Sequence, residues 1–253
     1  MGLIMDIIKS LNLNKLINNT ELLAVKPAGS MLRKIDHLGS DFDIVCLVRE
    51  NRHELLTNKL ISKQVINTVN GINIDVKVID LRSFYKQIMN QSPEYYELLL
   101  ADNIFINDYA KNNPYNMLNS ETQEHFNFVN LTKMISAVKG MSSNLLRQIN
   151  KYETDSKRLR KLLKQIDTVE HYADMVEFLQ WFEAVDLNSL SVRRKYHDFY
   201  YSEDAIDNTL ISDAKSELKK IIKTDYGTLD DRLSKQLACQ DYVSQVFESS
   251  LIG

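Results

Sequence analysis

Glycine and proline are scarce in this chain, with 7 Gly and 3 Pro among 253 residues, where average usage would give about 18 and about 13. That shortage excludes collagen-like, low-complexity and turn-dense all-β chains, which need frequent residues that allow positive φ or fix it. A mostly helical chain is expected. Cysteine is equally rare: Cys46 lies in an apolar run and Cys239 in a late helical pattern, so neither a disulfide framework nor a cysteine zinc site is written here. A reducing, cytoplasmic setting fits that usage. Long apolar runs are missing too. The densest, Ile44-Val45-Cys46-Leu47-Val48, falls far short of the about 18 residues a membrane-spanning helix needs. No charge of one sign prevails, with 31 basic and 34 acidic side chains and a net charge of −3. Any nucleic-acid contact would therefore come from a local patch.

What is present divides in two. Leu3, Ile4, Ile7, Ile8 and Leu11 form a helical stripe read as packing, and Asp6 stands where a myristoylation signal wants Ser or Thr. Leu22 to Lys26 reads as a strand that stops at Pro27-Ala28-Gly29-Ser30, where Ser30 is expected to cap a short helix through about Ile35, leaving by Asp36–Gly39. Asp41 to Val48 reads as a strand. Residues 51 to 69 have apolar positions at 55, 56, 60, 61, 65, 66 and 69, which predicts a helix ended by Asn70-Gly71. Ile72 to Val78 alternates strictly, which predicts a strand with one apolar and one polar face. A further strand is expected at Ile104–Ile106.

From about Tyr109 the pattern turns to long helical periods over about 120–150, 159–176, 204–222 and 229–247, with almost no breakers. The predicted fold is α+β: a small mixed sheet domain, 1–108, followed by an all-helical domain, 109–253. Residues 139–164 hold eight basic side chains and two acids. This stretch reads as a solvated helix face or as a contact for phosphates. Tyr95-Tyr96 and Tyr200-Tyr201 read as packing aromatics, and the histidines show no metal-binding spacing.

The chemistry concentrates in Gly29-Ser30, then ten residues, then Asp41-Phe42-Asp43, then Asp75 on the alternating strand. Asp41 and Asp43 are two apart, so on a strand they share a face; Asn73, Asp75 and Lys77 share one as well. If the strands are neighbours, three carboxylates converge, and a divalent cation is the usual relief for such repulsion. Gly29 lets backbone approach a ligand, and Ser30 offers a hydroxyl and N–H groups to an anion. A phosphate cradle facing an all-oxygen carboxylate cluster suits a nucleoside triphosphate, such as ATP, with Mg²⁺ or Mn²⁺.

This pattern resembles the nucleotidyltransferases of the DNA polymerase β superfamily. Within it, Ser40-Asp41-Phe42-Asp43-Ile44 is similar to the core of the RNA-repair-type and minimal nucleotidyltransferases. Asp80-Leu81-Arg82-Ser83-Phe84, with Ser92-Pro93-Glu94-Tyr95-Tyr96-Glu97-Leu98-Leu99, is similar to a second segment of the RNA-repair type. The resemblance covers about residues 20–105. Met31 departs from it, since an Arg usually follows Gly-Ser, and Arg33 and Lys34 lie a turn later. The resemblance implies a palm-like sheet domain with Asp41, Asp43 and Asp75 as catalytic and metal-binding acids. It implies that Gly29 and Ser30 grip the phosphates; Arg33, a turn after the position where the family has its Arg, is a candidate nucleotide contact. Lys77 joins them because it shares a face with Asp75. The implied reaction moves a nucleoside monophosphate to a hydroxyl of RNA (a tRNA included), a protein or a small molecule, with release of pyrophosphate.

Two other readings stay open. Asp-x-Asp also serves metal-dependent glycosyltransferases, which would give Gly29-Ser30 no role, and a helical adaptor could keep a nucleotide site without turnover. The sequence speaks against a P-loop enzyme, since no Gly-x-x-x-x-Gly-Lys occurs, and against a protein kinase, since no kinase catalytic loop accompanies Asp-Phe-Asp.

Overall fold

The computed structural model describes residues 21–35, 41–50, 57, 62–69, 71–112, 130–181 and 187–226. The described residues fall into two compact units, one up to Asn112 and one from Asn130 onward. The first contains β1 (Glu21–Pro27), α1 (Gly29–Leu32), β2 (Phe42–Arg49), β3 (Ser62–Val69), β4 (Ile72–Asp80), α2 (Leu81–Met89), α3 (Pro93–Leu100), β5 (Phe105–Ile106) and α4 (Asp108–Asn112). The fold is α+β, a five-stranded mixed sheet followed by helices, as its sequence pattern predicts. Strand order is β3-β4-β2-β1-β5. Among the described strands only β2 and β4 run parallel; β1 pairs antiparallel with β2 and β5, and β3 with β4.

Strict alternation gives the sheet two different faces. Val25, Ile44, Cys46, Val48, Ile74, Val76 and Val78 form one buried apolar face, and burial pushes the Cys46 thiol up to about 12. The other face carries Asp43, Asp75 and Lys77. Over it lie α2 and α3: Lys77 reaches Glu94 of α3, and Lys26, in register with Val45, donates to the Leu99 and Ala101 carbonyls at 3.3 and 2.5 Å. Asp80 ends β4 and caps α2, accepting from the Ser83 N–H at 2.6 Å and the Ser83 hydroxyl at 3.1 Å.

Three expectations change. The helix expected over 51–69 is, across its described C-terminal half, strand β3, paired with β4 from Ser62↔Ile79 to Val69↔Ile72. Apolar residues at 65, 66 and 69 fit a helical period, but Asn-Gly between two apolar runs is the strongest short hairpin signal, and Gly71 turns the hairpin at φ +79°. Ser30 is not the cap of α1. Ala28 holds that position with extended φ and ψ and no side-chain cap bond, while Ser30 lies buried within a helix of four residues. The second strand starts at Phe42 rather than Asp41. The expected first helix, the Asp36–Gly39 exit and the 229–247 helix lie outside the described residues.

The second unit contains α5 (Leu131–Lys151), α6 (Ser156–Trp181), a 3₁₀ turn (Leu187–Ser189), α7 (Lys195–Tyr201) and α8 (Asn208–Lys223). Its core is the predicted stripe: Leu159, Leu162, Leu163, Ile166, Val169, Ala173 and Val176 of α6 are buried, with Met134, Val138 and Leu145 of α5 and Ala214 and Leu218 of α8. Among the described residues no helix is long and apolar enough to cross a membrane.

Much of the basic stretch 139–164 is engaged inside this unit. The Arg158 guanidinium stacks 3.6 Å from the Tyr152 ring centroid. Arg160 donates to the Phe199 and Ser202 carbonyls at 2.6 and 3.0 Å, and to that of Asp204, closing the C-terminal end of α7. Lys164 donates to the Tyr201 hydroxyl at 3.1 Å and lies over the Tyr200 and Tyr201 rings.

Candidate active site

The carboxylates are positioned by backbone register. β2 and β4 are parallel neighbours with Phe42 beside Ile74 and Asp43 beside Asp75. Residues paired this way share a face, about 4.8 Å apart across the ladder. The convergence that the sequence made conditional on strand pairing is therefore met for Asp43 and Asp75. Asp41 stands exposed just before β2.

Gly29 joins the turn to this pair. It has φ +57°, and a Cβ at this position would lie 2.1 Å from Asp43 Oδ2 and 3.0 Å from its Cγ. The Asp43 carboxylate thus occupies the space that any other residue would fill, so steric fit and backbone conformation both demand glycine. The neighbouring Ala28 N–H donates to the Asp43 carbonyl at 3.0 Å, continuing the β1–β2 ladder into the turn. Ser30 follows, 8% exposed, its carbonyl accepting from the Ile35 N–H at 3.0 Å.

The two basic candidates are held by acids of α3. Arg33 forms a fork with Glu97, Nε–Oε1 at 3.0 Å and Nη2–Oε2 at 3.1 Å, with side chains 11% and 2% exposed. This contact ties the turn to α3, which gives Arg33 a role in placing the turn. Lys77 donates to Glu94 at 3.2 Å and lies 5.0 Å over the Tyr95 ring. Burial pulls its ammonium down, but Glu94 and Tyr95 outweigh that and leave its pKa raised.

Asp75 is satisfied on one oxygen only. Its Oδ2 accepts from Gln64 Nε2 at 2.6 Å, while Oδ1 is buried with no hydrogen-bond partner. A buried carboxylate oxygen left so is costly unless a cation or proton meets it. Among the described residues, no group of three or more His, Cys, Asp or Glu side chains is gathered to hold a metal ion. Two carboxylates side by side, one with an orphaned oxygen, nevertheless fit Mg²⁺ or Mn²⁺, which commonly takes one or two carboxylates and completes its shell with water and substrate phosphate.

Gln64, Glu97 and Lys26 escaped the sequence reading. A strand assignment for 62–69, available from the Asn70-Gly71 hairpin signal, would have placed Gln64 beside the polar residues of β4. Glu97 lies in the second segment of the resemblance, which gave it no role, and nothing local marks Lys26. Lys26 is fully buried, and its pKa is lowered to about 7 by that burial, against a smaller upward pull from Asp102.

No family model matches the chain, and no curated relative matches it. Among solved structures, the chain is similar to a nucleotidyltransferase-like protein from Exiguobacterium sibiricum at 14% identity, over 97% of this chain and 80% of that one, with a TM-score of 0.35.

Proposed function

We propose that this chain is a metal-dependent nucleotidyltransferase that moves a nucleoside monophosphate from a nucleoside triphosphate to a hydroxyl acceptor and releases pyrophosphate. The observation that carries this reading is the packing of Gly29 against the Asp43 carboxylate, with Asp75 in register beside it. The Gly29–Ser30 turn thereby adjoins an acidic pair.

Asp41, Asp43 and Asp75 would hold Mg²⁺ or Mn²⁺. Bound there, the cation neutralises charge on the triphosphate and lowers the cost of a deprotonated acceptor oxygen. The Gly29 backbone and the Ser30 hydroxyl grip phosphate oxygens. The acceptor hydroxyl oxygen attacks the α-phosphorus, the bond from that phosphorus to the bridging oxygen breaks, and pyrophosphate leaves. Asp75 Oδ1 takes the hydroxyl proton. Lys77 adds positive charge beside Asp75, and Arg33, through Glu97, keeps the turn in place.

In this reading residues 1–108 are the catalytic domain and the helical region 109–253 selects the acceptor: RNA, a tRNA among them, a protein or a small molecule. The setting is cytoplasmic, in line with the low cysteine content. The test uses α-labelled ATP, CTP, GTP and UTP with Mg²⁺ or Mn²⁺ and a panel of hydroxyl acceptors: transfer RNA, a hydroxyl-rich protein, nucleosides and sugars. Label should move only with metal present, and Asp43→Ala and Asp75→Ala should stop it. Transfer that is absent, or unchanged in both variants, would overturn the proposal.

A further inference from the structure

Resting on that reading, we infer that Gln64 is a positioning residue that fixes the Asp75 carboxylate, holding Oδ2 so that Oδ1 alone faces the acceptor. Gln64 sits on the edge strand β3 directly opposite Lys77 in the ladder. Its amide does not stay there. The Lys77 ammonium is held by Glu94, and Gln64 Nε2 instead reaches diagonally along β4 to Asp75 Oδ2, at 2.6 Å. A diagonal cross-strand neighbour is within range of a long side chain. The amide orientation is forced by chemistry, because an ionised carboxylate only accepts and the –NH₂ end of Gln64 must therefore face it.

The consequence for Asp75 is directional. A carboxylate rotates freely about its last torsion, in a broad two-fold well that exchanges its oxygens. A donor on Oδ2 breaks that equivalence. It leaves Oδ1, buried and without a hydrogen-bond partner, as the oxygen whose lone pairs are still unused. Holding such a group by a neighbour rather than by chance is what lets a reacting atom meet it without reorganisation. The next pair along the hairpin makes a control of the same type, since the Thr68 hydroxyl donates to Asn73 Oδ1 at 2.9 Å without touching Asp75.

The experiment compares wild type with Gln64→Leu, Gln64→Glu, Gln64→Lys and Thr68→Val, using the acceptor that takes most label in the panel above. Loss of an outer partner of this kind costs about 10–100-fold, so kcat should fall by that factor in Gln64→Leu and further in Gln64→Glu, which sets a second anion against Asp75. The KM for the triphosphate should stay within about threefold. Gln64→Lys, which restores a donor of similar reach, should recover most of kcat, and Thr68→Val should leave it unchanged. In metal-free protein the Asp75 carboxyl ¹³C resonance, assigned with Asp75→Asn, should move in Gln64→Leu and not in Thr68→Val. Wild-type kcat in Gln64→Leu, or loss in Gln64→Lys equal to that in Gln64→Leu, would overturn this inference and leave the transferase reading standing. A wild-type chain that neither binds triphosphate with metal nor transfers it would overturn both.

Discussion

Among the described residues, a forked arginine–carboxylate pair in the sheet unit and another in the helical unit differ in burial rather than in hydrogen bonding. In the sheet unit Arg33 meets Glu97 at 3.0 and 3.1 Å with side chains 11% and 2% exposed. In the helical unit Arg193 meets Asp174 at 2.7 and 2.8 Å with side chains 40% and 21% exposed. The shorter pair is the weaker contributor, because exposed charges are screened by water, whereas a dry pair leaves an uncompensated ion when one partner is removed. Two carboxylates make a parallel contrast. Asp167 of α6 is 1% exposed, its Oδ2 accepts from the His197 N–H at 2.6 Å, and its Oδ1 has no hydrogen-bond partner. Burial raises its pKa against the pull of the backbone N–H groups. Asp75 has the same one-sided bonding, but it is only partly buried and stands beside a second acid, near a glycine turn. Both units thus leave a carboxylate oxygen without a hydrogen-bond partner, deep in the helical core in Asp167 and beside a second acid of the sheet in Asp75.

The sharpest way to break this contrast is Asp43→Ala. Removing one electrostatic partner of a reacting phosphate costs on the order of 10³-fold, so label transfer should drop by at least that factor while thermal melting changes little. Arg33→Met comes next. It strands Glu97 in a dry site and should destabilise the fold by about 3–5 kcal/mol, read by denaturant unfolding, and the double variant Arg33→Met/Glu97→Met should regain most of that. Gly29→Ala should cost about 1–3 kcal/mol for its strained backbone and should also abolish transfer, because the new methyl displaces the Asp43 carboxylate.

A further contrast separates the units by pH. The Lys26 ammonium titrates near 7 in the folded chain against an ordinary 10.5, so the unfolded chain holds more protons between those values. Stability from this group therefore rises as pH climbs from 7 to 10.5. Glu170 in the helical unit is raised to about 7 from 4.5, by burial first and by Glu217 next. Here the folded state holds more protons, so its contribution falls as pH rises from 4.5 to 7. Hydrogen exchange resolved by unit should show these opposite slopes, flattened in Lys26→Met and Glu170→Gln respectively. Smallest of all, Arg193→Met should cost about 1 kcal/mol or less.

The juxtaposition of the candidate acids Asp43 and Asp75 was legible in sequence because strand alternation has period two. Once Ile72 to Val78 is a strand, Asp75 and Lys77 must share a face, and pairing with β2 then sets Asp43 beside Asp75. Gly29 was legible as a close-approach position, although its partner, the Asp43 carboxylate, lies 14 residues away and emerges only from the fold. Two things hid the rest. Apolar spacing over 51–69 satisfied a helical period and masked β3, and with it Gln64. The tertiary partners of charges carry no local mark: Arg33 reads as a phosphate cation until Glu97, 64 positions on, is seen to hold it, and Arg160 reads as part of a basic face until it closes the end of α7. Register is a local rule propagated by a ladder, whereas the choice between a ligand and an internal partner is made by the whole fold.

The central claim, that Gly29, Asp43 and Asp75 form a metal–nucleotide site, is tested most directly by calorimetric titration of the full chain with a nonhydrolysable triphosphate, with and without Mg²⁺. Saturable binding that requires the cation, and that disappears in Asp43→Asn while the fold melts as in wild type, is the predicted result. Binding that ignores the cation and survives Asp43→Asn, or no binding with the cation present, would contradict it.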